Sequence, residues 1–250
     1  MGGKVERMKT LARWCFALLL LAAPAAARAE AVDLALVLAI DISRSVDEVE
    51  AALQRQGYIA ALTNDKVIRA IGSGAIGRIG LAYVEWAGVN TQHTVVPWTT
   101  IRSADDAHKF AGAIAAAPVS SMSWTSISGA IDYSKRLLES SGYEAGRYVI
   151  DVSGDGRNNS GRPAELARDE AVAAGITING LPIINDRANF GRPAEADLDQ
   201  YYERAVIGGP GAFMILATSF EAFGSAILSK LIKEIAGDED VERRILAAAE

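Results

Sequence analysis

The sequence predicts one doubly wound α/β domain with a mostly parallel sheet and helices on both faces. Three observations carry this. Short apolar runs alternate with stretches of helical periodicity, which implies parallel strands joined by right-handed crossovers. The strand candidates are near-continuously apolar, as in a sheet covered on both sides. Half of the 250 residues are hydrophobic and 22% are charged, a balance that excludes a disordered or collagen-like chain.

Taken in order, residues 33–40 (DLALVLAI) form a buried strand. Residues 47–62 follow as a helix with Val49, Ala52, Leu53 and Ile59 on its inner face. Residues 79–87 (IGLAYVEWA) are a second strand, and residues 94–98 a short one whose Pro97 suits a sheet edge. Residues 103–116 are helical, opened by Ser103 with Asp106 three residues on. Residues 126–138 are helical with Ile127, Ala130, Ile131 and Leu138 inward. Residues 147–153 (RYVIDVS) are a strand, and residues 163–174 a helix begun by Pro163 and closed by Gly175. Residues 176–184 and 212–218 (AFMILAT) are the remaining strands. The helix of residues 219–236 sets Phe220, Phe223, Ile227, Leu231 and Ile235 three or four apart, and Gly237 ends it. Residues 185–211 are too long for a plain connection and read as an embellishment with its own helix at 197–206. Residues 237–250 read as a charged tail.

The N-terminus has a different character. Lys4, Arg7, Lys9 and Arg13 precede an apolar run at residues 14–23 (WCFALLLLAA), then Pro24 and Ala27-Arg28-Ala29. This is the pattern of a secretory signal peptide over residues 1–29, with cleavage expected after Ala29. The run is half the ~20 apolar residues needed to span a bilayer. Its removal takes five basic residues and Glu6, moving the net charge from −6 to −10, and takes Cys15, the single cysteine. An exported protein, periplasmic or secreted, with no disulfide is therefore expected, along with no membrane span in the mature chain. The acidic balance argues against nucleic acid, whose phosphates want a basic face.

Chemistry concentrates where strands end. The first strand runs into Asp41-Ile42-Ser43-Arg44-Ser45, Thr125 stands just before a helix, and Asp155 follows another strand in Gly154-Asp155-Gly156. Ligand sites of open α/β sheets lie at such carboxyl ends. Each motif alone is weak, since Ser43, Ser45 and Thr125 are ordinary helix caps. Together they offer hydroxyls and two carboxylates, a hard-oxygen set suited to Mg²⁺, or to Mn²⁺ or Ca²⁺, rather than to zinc or copper.

The Asp41-x-Ser43-x-Ser45 motif, Thr125 and the Gly154-Asp155-Gly156 turn resemble the metal-ion-dependent adhesion site of the von Willebrand factor type A domain. The order and spacing match from residue 33 to about residue 236. The stretches around Ile150–Asn159, Thr125–Ile131 and Ile178–Pro182 are similar to a bacterial exported subfamily of unknown function. The resemblance implies a six-stranded sheet with one short antiparallel edge strand, placed at residues 94–98. It implies direct metal ligation by Ser43 and Ser45, with Asp41, Thr125 and Asp155 binding directly or through water. It leaves one position open for an acidic side chain of a protein partner. Arg44, Trp124, Asn158 and Asn159 would form the partner-facing rim.

Other residues carry less. Asp151, inside a strand, needs a buried partner such as backbone or an Arg. His93 and His108 show no ligand spacing and are expected in solvent, and Trp86 in the core. No nucleophile–histidine set is evident, so an enzyme is not the expected reading. The alternatives are a Mg²⁺-dependent phosphohydrolase using Asp41, with Arg44 and Arg157 nearby, and a scaffold whose metal is purely structural. The first lacks the second carboxylate two residues past the nucleophile, where Ser43 stands.

Overall fold

The computed structural model describes residues 29–44, 46, 48–119, 121–184, 195, 197–219, 222–237 and 239–247. The expected signal peptide up to residue 28, Ser45, Phe220 and most of 185–196 lie outside the described residues. The elements are β1 (Glu30–Val32), β2 (Leu34–Asp41), α1 (Glu48–Leu62), α2 (Asp65–Gly72), β3 (Ile79–Trp86), β4 (Gln92–Ile101), α3 (Ala104–Ala116), α4 (Ile127–Glu139), β5 (Tyr143–Ala145), β6 (Tyr148–Gly154), α5 (Ala164–Ala173), β7 (Ile176–Pro182), α6 (Leu198–Ala205), α7 (Phe223–Ala236) and α8 (Glu239–Ala247).

The main sheet has five strands in the order β4-β3-β2-β6-β7, and a two-stranded sheet pairs β1 with β5. All pairings in the main sheet are parallel except β3 with β4, the antiparallel edge. Two departures stand in the sheet: the edge strand expected as a short one at residues 94–98 runs for ten residues, Gln92–Ile101, and the strand expected at residues 212–218 is not a regular one. It runs beside β7 in parallel but is reduced to isolated bridges, Gly180 with Met214 and Ile183 with Ala217. The cause is Pro182. Gly180 N–H donates to the Phe213 carbonyl (3.0 Å), Ile215 N–H to Gly180 (3.1 Å), Ala217 N–H to Pro182 (3.0 Å) and Ile184 N–H to Ala217 (2.8 Å). The rung between the second and third would need an N–H from residue 182, which proline lacks. Among the described residues the main sheet therefore has five strands where six were expected, and residues 213–217 meet β7 only through these bonds and isolated bridges.

Two apolar layers enclose the sheet. Leu34, Leu36, Leu38 and Ile40 of β2 face one core, with buried residues from α1, α2, α3, α7 and α8. The alternate Ala35, Val37 and Ala39 face the other, beneath α4, α5 and α6. Small residues on that side let α4 lie close to the strand. The expected inward residues of α4 and, among those described, of α7 are buried. The inner face of α1 is different from the expected one: Val49 is 67% exposed, while Ala51, Gln54, Arg55, Tyr58, Ala61 and Leu62 are buried. Polar contacts explain the rotation. Arg55 meets the buried Glu85 of β3 through a 2.6 Å bond, and the Tyr58 hydroxyl lies 3.2 Å from Ser153 Oγ on β6. The expected charged tail is helical over α8 and buries Ile245 in the core.

Candidate metal centre

β2 lies between β3 and β6, so the chain leaves it in one direction and later returns on its other side. Such a reversal opens a crevice at the strands' carboxyl ends. Asp41 is the last residue of β2, and Asp155 directly follows β6. Thr125 comes from the loop leading into α4, whose N-cap is Ser126. The loop is stitched to both neighbours: Met122 N–H donates to the Ile42 carbonyl (3.0 Å), and Ser126 N–H to the Ala87 carbonyl (2.7 Å). The fold therefore brings together Asp41, Ser43, Thr125 and Asp155; Ser45 lies outside the described residues.

Asp41, Ser43 and Thr125 are buried at 0, 2 and 5% exposure, and Asp155 is half-buried. One Asp41 oxygen, Oδ1, accepts the Ser43 N–H at 2.7 Å. The other, Oδ2, is buried and has no hydrogen-bond partner. Burial, and next the facing Asp155 carboxylate, push the Asp41 carboxyl well above the usual range, against the bonds from Ser43 that lower it. Glycine keeps this space open: a Cβ on Gly154 would stand 2.9 Å from Asp41 Oδ2, and one on Gly156 3.7 Å from Thr125 Oγ1. An unpartnered buried carboxylate oxygen, a second carboxylate opposite and hydroxyls around them fit a hard divalent cation. Among the described residues no group of three or more His, Cys, Asp or Glu side chains could hold a metal. A cation held between Asp41 and Asp155 would have to draw its further protein donors from hydroxyls such as those of Ser43 and Thr125.

The expected rim residues have distinct places. Arg44 is exposed. Asn159 Oδ1 accepts the Thr125 N–H (2.9 Å), and its own N–H donates to the Thr125 carbonyl (2.8 Å). Asn158 Oδ1 accepts Ser128 N–H (3.0 Å), while its amide donates to the Arg162 carbonyl (3.0 Å). The Asn159 side chain thus binds the Asp155 loop to the Thr125 loop, and that of Asn158 binds it to the first turn of α4. Trp124 is 64% exposed and has φ of 73°, the one positive φ outside glycine among the described residues. For an L-residue that conformation costs roughly 1–2 kcal/mol.

Several supporting residues were not read from the sequence. Tyr202 of α6 is fully buried, and its hydroxyl lies 3.0 Å from the point where a Gly154 Cβ would stand, the same point that Asp41 Oδ2 approaches. Burial, then Asp41 and Asp155, raise its phenol well above its ordinary value, so it stays neutral. Its ring rests where a Gly180 Cβ would be, at 2.8 Å, so two glycines admit it. Arg55 donates to Glu85 and also to the carbonyls of Ala117 (2.6 Å) and Pro118 (2.9 Å), fixing the chain that leads into the Thr125 loop. A lone acid inside the apolar run IGLAYVEWA was the available signal for Glu85. Arg157 is bound to Asp197 and stacks over Tyr201, 5.1 Å from the ring centre.

The family described as "Protein of unknown function (DUF1194)" matches residues 31–239. No curated protein matches the sequence. Among solved structures, the chain is similar to proximal thread matrix protein 1 from the mussel byssus with a zinc-occupied MIDAS motif, at 13% identity and a TM-score of 0.57, covering 83% of this chain and 49% of that one. It is similar to the pilus adhesin SpaC from Lactobacillus rhamnosus GG, at 15% identity and a TM-score of 0.60, covering 82% and 31%. It is also similar to a von Willebrand factor type A protein from Catenulispora acidiphila, at 13% identity and a TM-score of 0.55, covering 82% and 42%. The chain thus spans half or less of the length of these structures, and what they share with it is the fold.

Proposed function

The chain belongs to the DUF1194 family of proteins of unknown function, and from its von Willebrand factor A fold we propose that it is an exported protein-binding module gripping a partner through a divalent metal. The observation that carries this is the buried Asp41 Oδ2 without a hydrogen-bond partner, opposite Asp155. Asp41, Ser43, Ser45, Thr125 and Asp155 would hold the ion. Bound there, a hard cation supplies positive charge and an exchangeable position that an acidic side chain of the partner can take. Mg²⁺ suits the all-oxygen set, with Mn²⁺ or Ca²⁺ compatible. Zinc in the MIDAS motif of a protein with this fold supports a divalent ion in the cradle.

The chain's own residues prepare that contact. Ser43 N–H holds one Asp41 oxygen, which leaves the other directed to the cradle. Asn159 fixes Thr125 on both sides of its peptide unit, and Arg55 fixes the approach to that loop. Two carboxylates against one divalent ion leave little negative charge to repel an incoming Asp or Glu. A pilus adhesin with this fold supports a binding role. The N-terminal pattern supports export, to the periplasm or beyond, and no helix among the described residues is long and apolar enough to cross a membrane. Ligand duty for Asp41 also accords with its full burial, and Arg157 is engaged by Asp197 rather than poised for a phosphoryl group.

Immobilised protein incubated with native envelope extract tests the reading. Partner capture is expected in Mg²⁺, lost with chelator and lost with Thr125→Ala at unchanged circular dichroism. Capture that survives both treatments would place the interface elsewhere and overturn the proposal.

A further inference from the structure

Of the exposed large apolar side chains, Val89 (44%), Val119 (54%), Met122 (46%) and Trp124 (64%) lie on the two loops that border the cradle. Met122 is paired with Ser43 through an isolated bridge. Trp124 is bonded directly to Thr125, and its Cβ lies 3.3 Å from where a Gly88 Cβ would stand, beside Val89. Arg44 is exposed between the two motif serines. Exposed apolar and aromatic side chains therefore stand on the loop that carries Thr125, and an exposed guanidinium on the turn that carries Ser43.

Trp124 poses the sharper question. A bulky residue at positive φ is a genuine outlier. It is held there because both flanks are tied down, Met122 to Ile42 and Ser126 to Ala87. Glycine would adopt this backbone without cost. The indole does not repay the strain within the chain, since it is mostly in solvent. Strain of this kind collects at ligand clamps, where the return comes in the bound state.

We propose that Trp124, with Met122 and Val89, is an apolar anchor site that reads a large apolar side chain beside the metal-seeking carboxylate of the partner. This rests on the metal-dependent reading above. The occupant is a protein segment in which an Asp or Glu stands within a few residues of an aromatic or large aliphatic one. Charge complementarity selects its acid, because the cation offsets the Asp41 and Asp155 carboxylates and the exposed Arg44 then leaves this spot positive on an otherwise acidic chain. The exposed indole and thioether select its apolar neighbour; Trp, Met and Arg are the residue types enriched in interface cores and anchors.

The test pans a phage-displayed library of random peptides on the purified protein in Mg²⁺ and elutes with EDTA. Eluted peptides should carry an acid with a large apolar residue within about three positions, a spacing set by side-chain reach along an extended segment. A synthetic consensus peptide should bind about tenfold or more weakly to Trp124→Gly. Trp124→Asn tolerates the same backbone without an apolar face and should lose as much, while Mg²⁺ affinity is unchanged in both. Acidic, EDTA-eluted peptides with no apolar preference, or full affinity in these variants, would overturn the anchor and leave the metal reading standing. Mg²⁺ binding with no EDTA-eluted peptide would overturn both.

Discussion

At Asp41 the two carboxylate oxygens have different duties. Oδ1 closes the turn by accepting Ser43 N–H, while Oδ2 is buried and unpartnered. Asn can keep the first bond through its carbonyl and remove the charge that faces Asp155. Asp41→Asn is therefore expected to leave the metal-free protein as stable as wild type, or more stable by about 1 kcal/mol, roughly 2–4 °C in melting temperature. Melting in chelator checks this; a variant melting well below metal-free wild type would show that the carboxylate itself holds the fold. Asp41, Ser43, Thr125 and Asp155 were legible because their motifs sit where strand and helix patterns meet. Tyr202 was not, because it arrives from a distant helix and its place is made by the absence of side chains at Gly154 and Gly180. The duty of Asn158 and Asn159 was equally hidden, since a turn Asn looks the same in sequence whether it faces a partner or staples a neighbouring loop.

Between β6 and α7 lies a charged layer that the expected partners of Asp151 did not include. Lys230, fully buried, lies 2.6 Å from Asp151 Oδ1 and pairs with Glu234 one turn along α7. Asn179 donates to Glu234 at 2.9 Å. Burial, then Glu234, push Asp151 from 3.8 up to about 7, with Lys230 opposing. Two carboxylates share one ammonium here, so one of them keeps its proton more tightly folded than unfolded. Because the folded value is raised, the contribution of Asp151 is fully present below about pH 4 and is lost as pH rises through about 7. Wild type and Asp151→Asn should therefore melt alike at pH 4, and wild type should fall several degrees below the variant by pH 8. Titration elsewhere in the chain, Asp41 included, is common to both proteins and cancels in the difference. A gap independent of pH would contradict the assignment. The Lys230–Glu234 spacing on α7 was visible in the sequence, but its pairing with Asp151 depends on strand register, which a single sequence does not specify. Pro182 was visible too; its effect on the ladder became readable only once the neighbouring strand was known.

For the molecule as a whole, the alternation of apolar runs was enough to place the parallel strands and both helical layers, while the antiparallel direction of the edge came from the family resemblance alone. The sequence left out α2 and the β1–β5 pair, short elements with little periodicity of their own. The same sheet order that creates the crevice at β2 and β6 gathers the cradle from three separate stretches of chain. One bound cation should then stabilise the whole domain: at about 100 times its Kd, Mg²⁺ adds about 2.7 kcal/mol, roughly 5–10 °C in melting temperature. The most direct measurement is calorimetric titration of chelator-stripped protein with Mg²⁺ and, separately, Zn²⁺. The account predicts one Mg²⁺ per chain, abolished by Asp41→Asn and by Thr125→Ala. Tight Zn²⁺ binding with no Mg²⁺ response, or Mg²⁺ binding that persists in both variants, would contradict it.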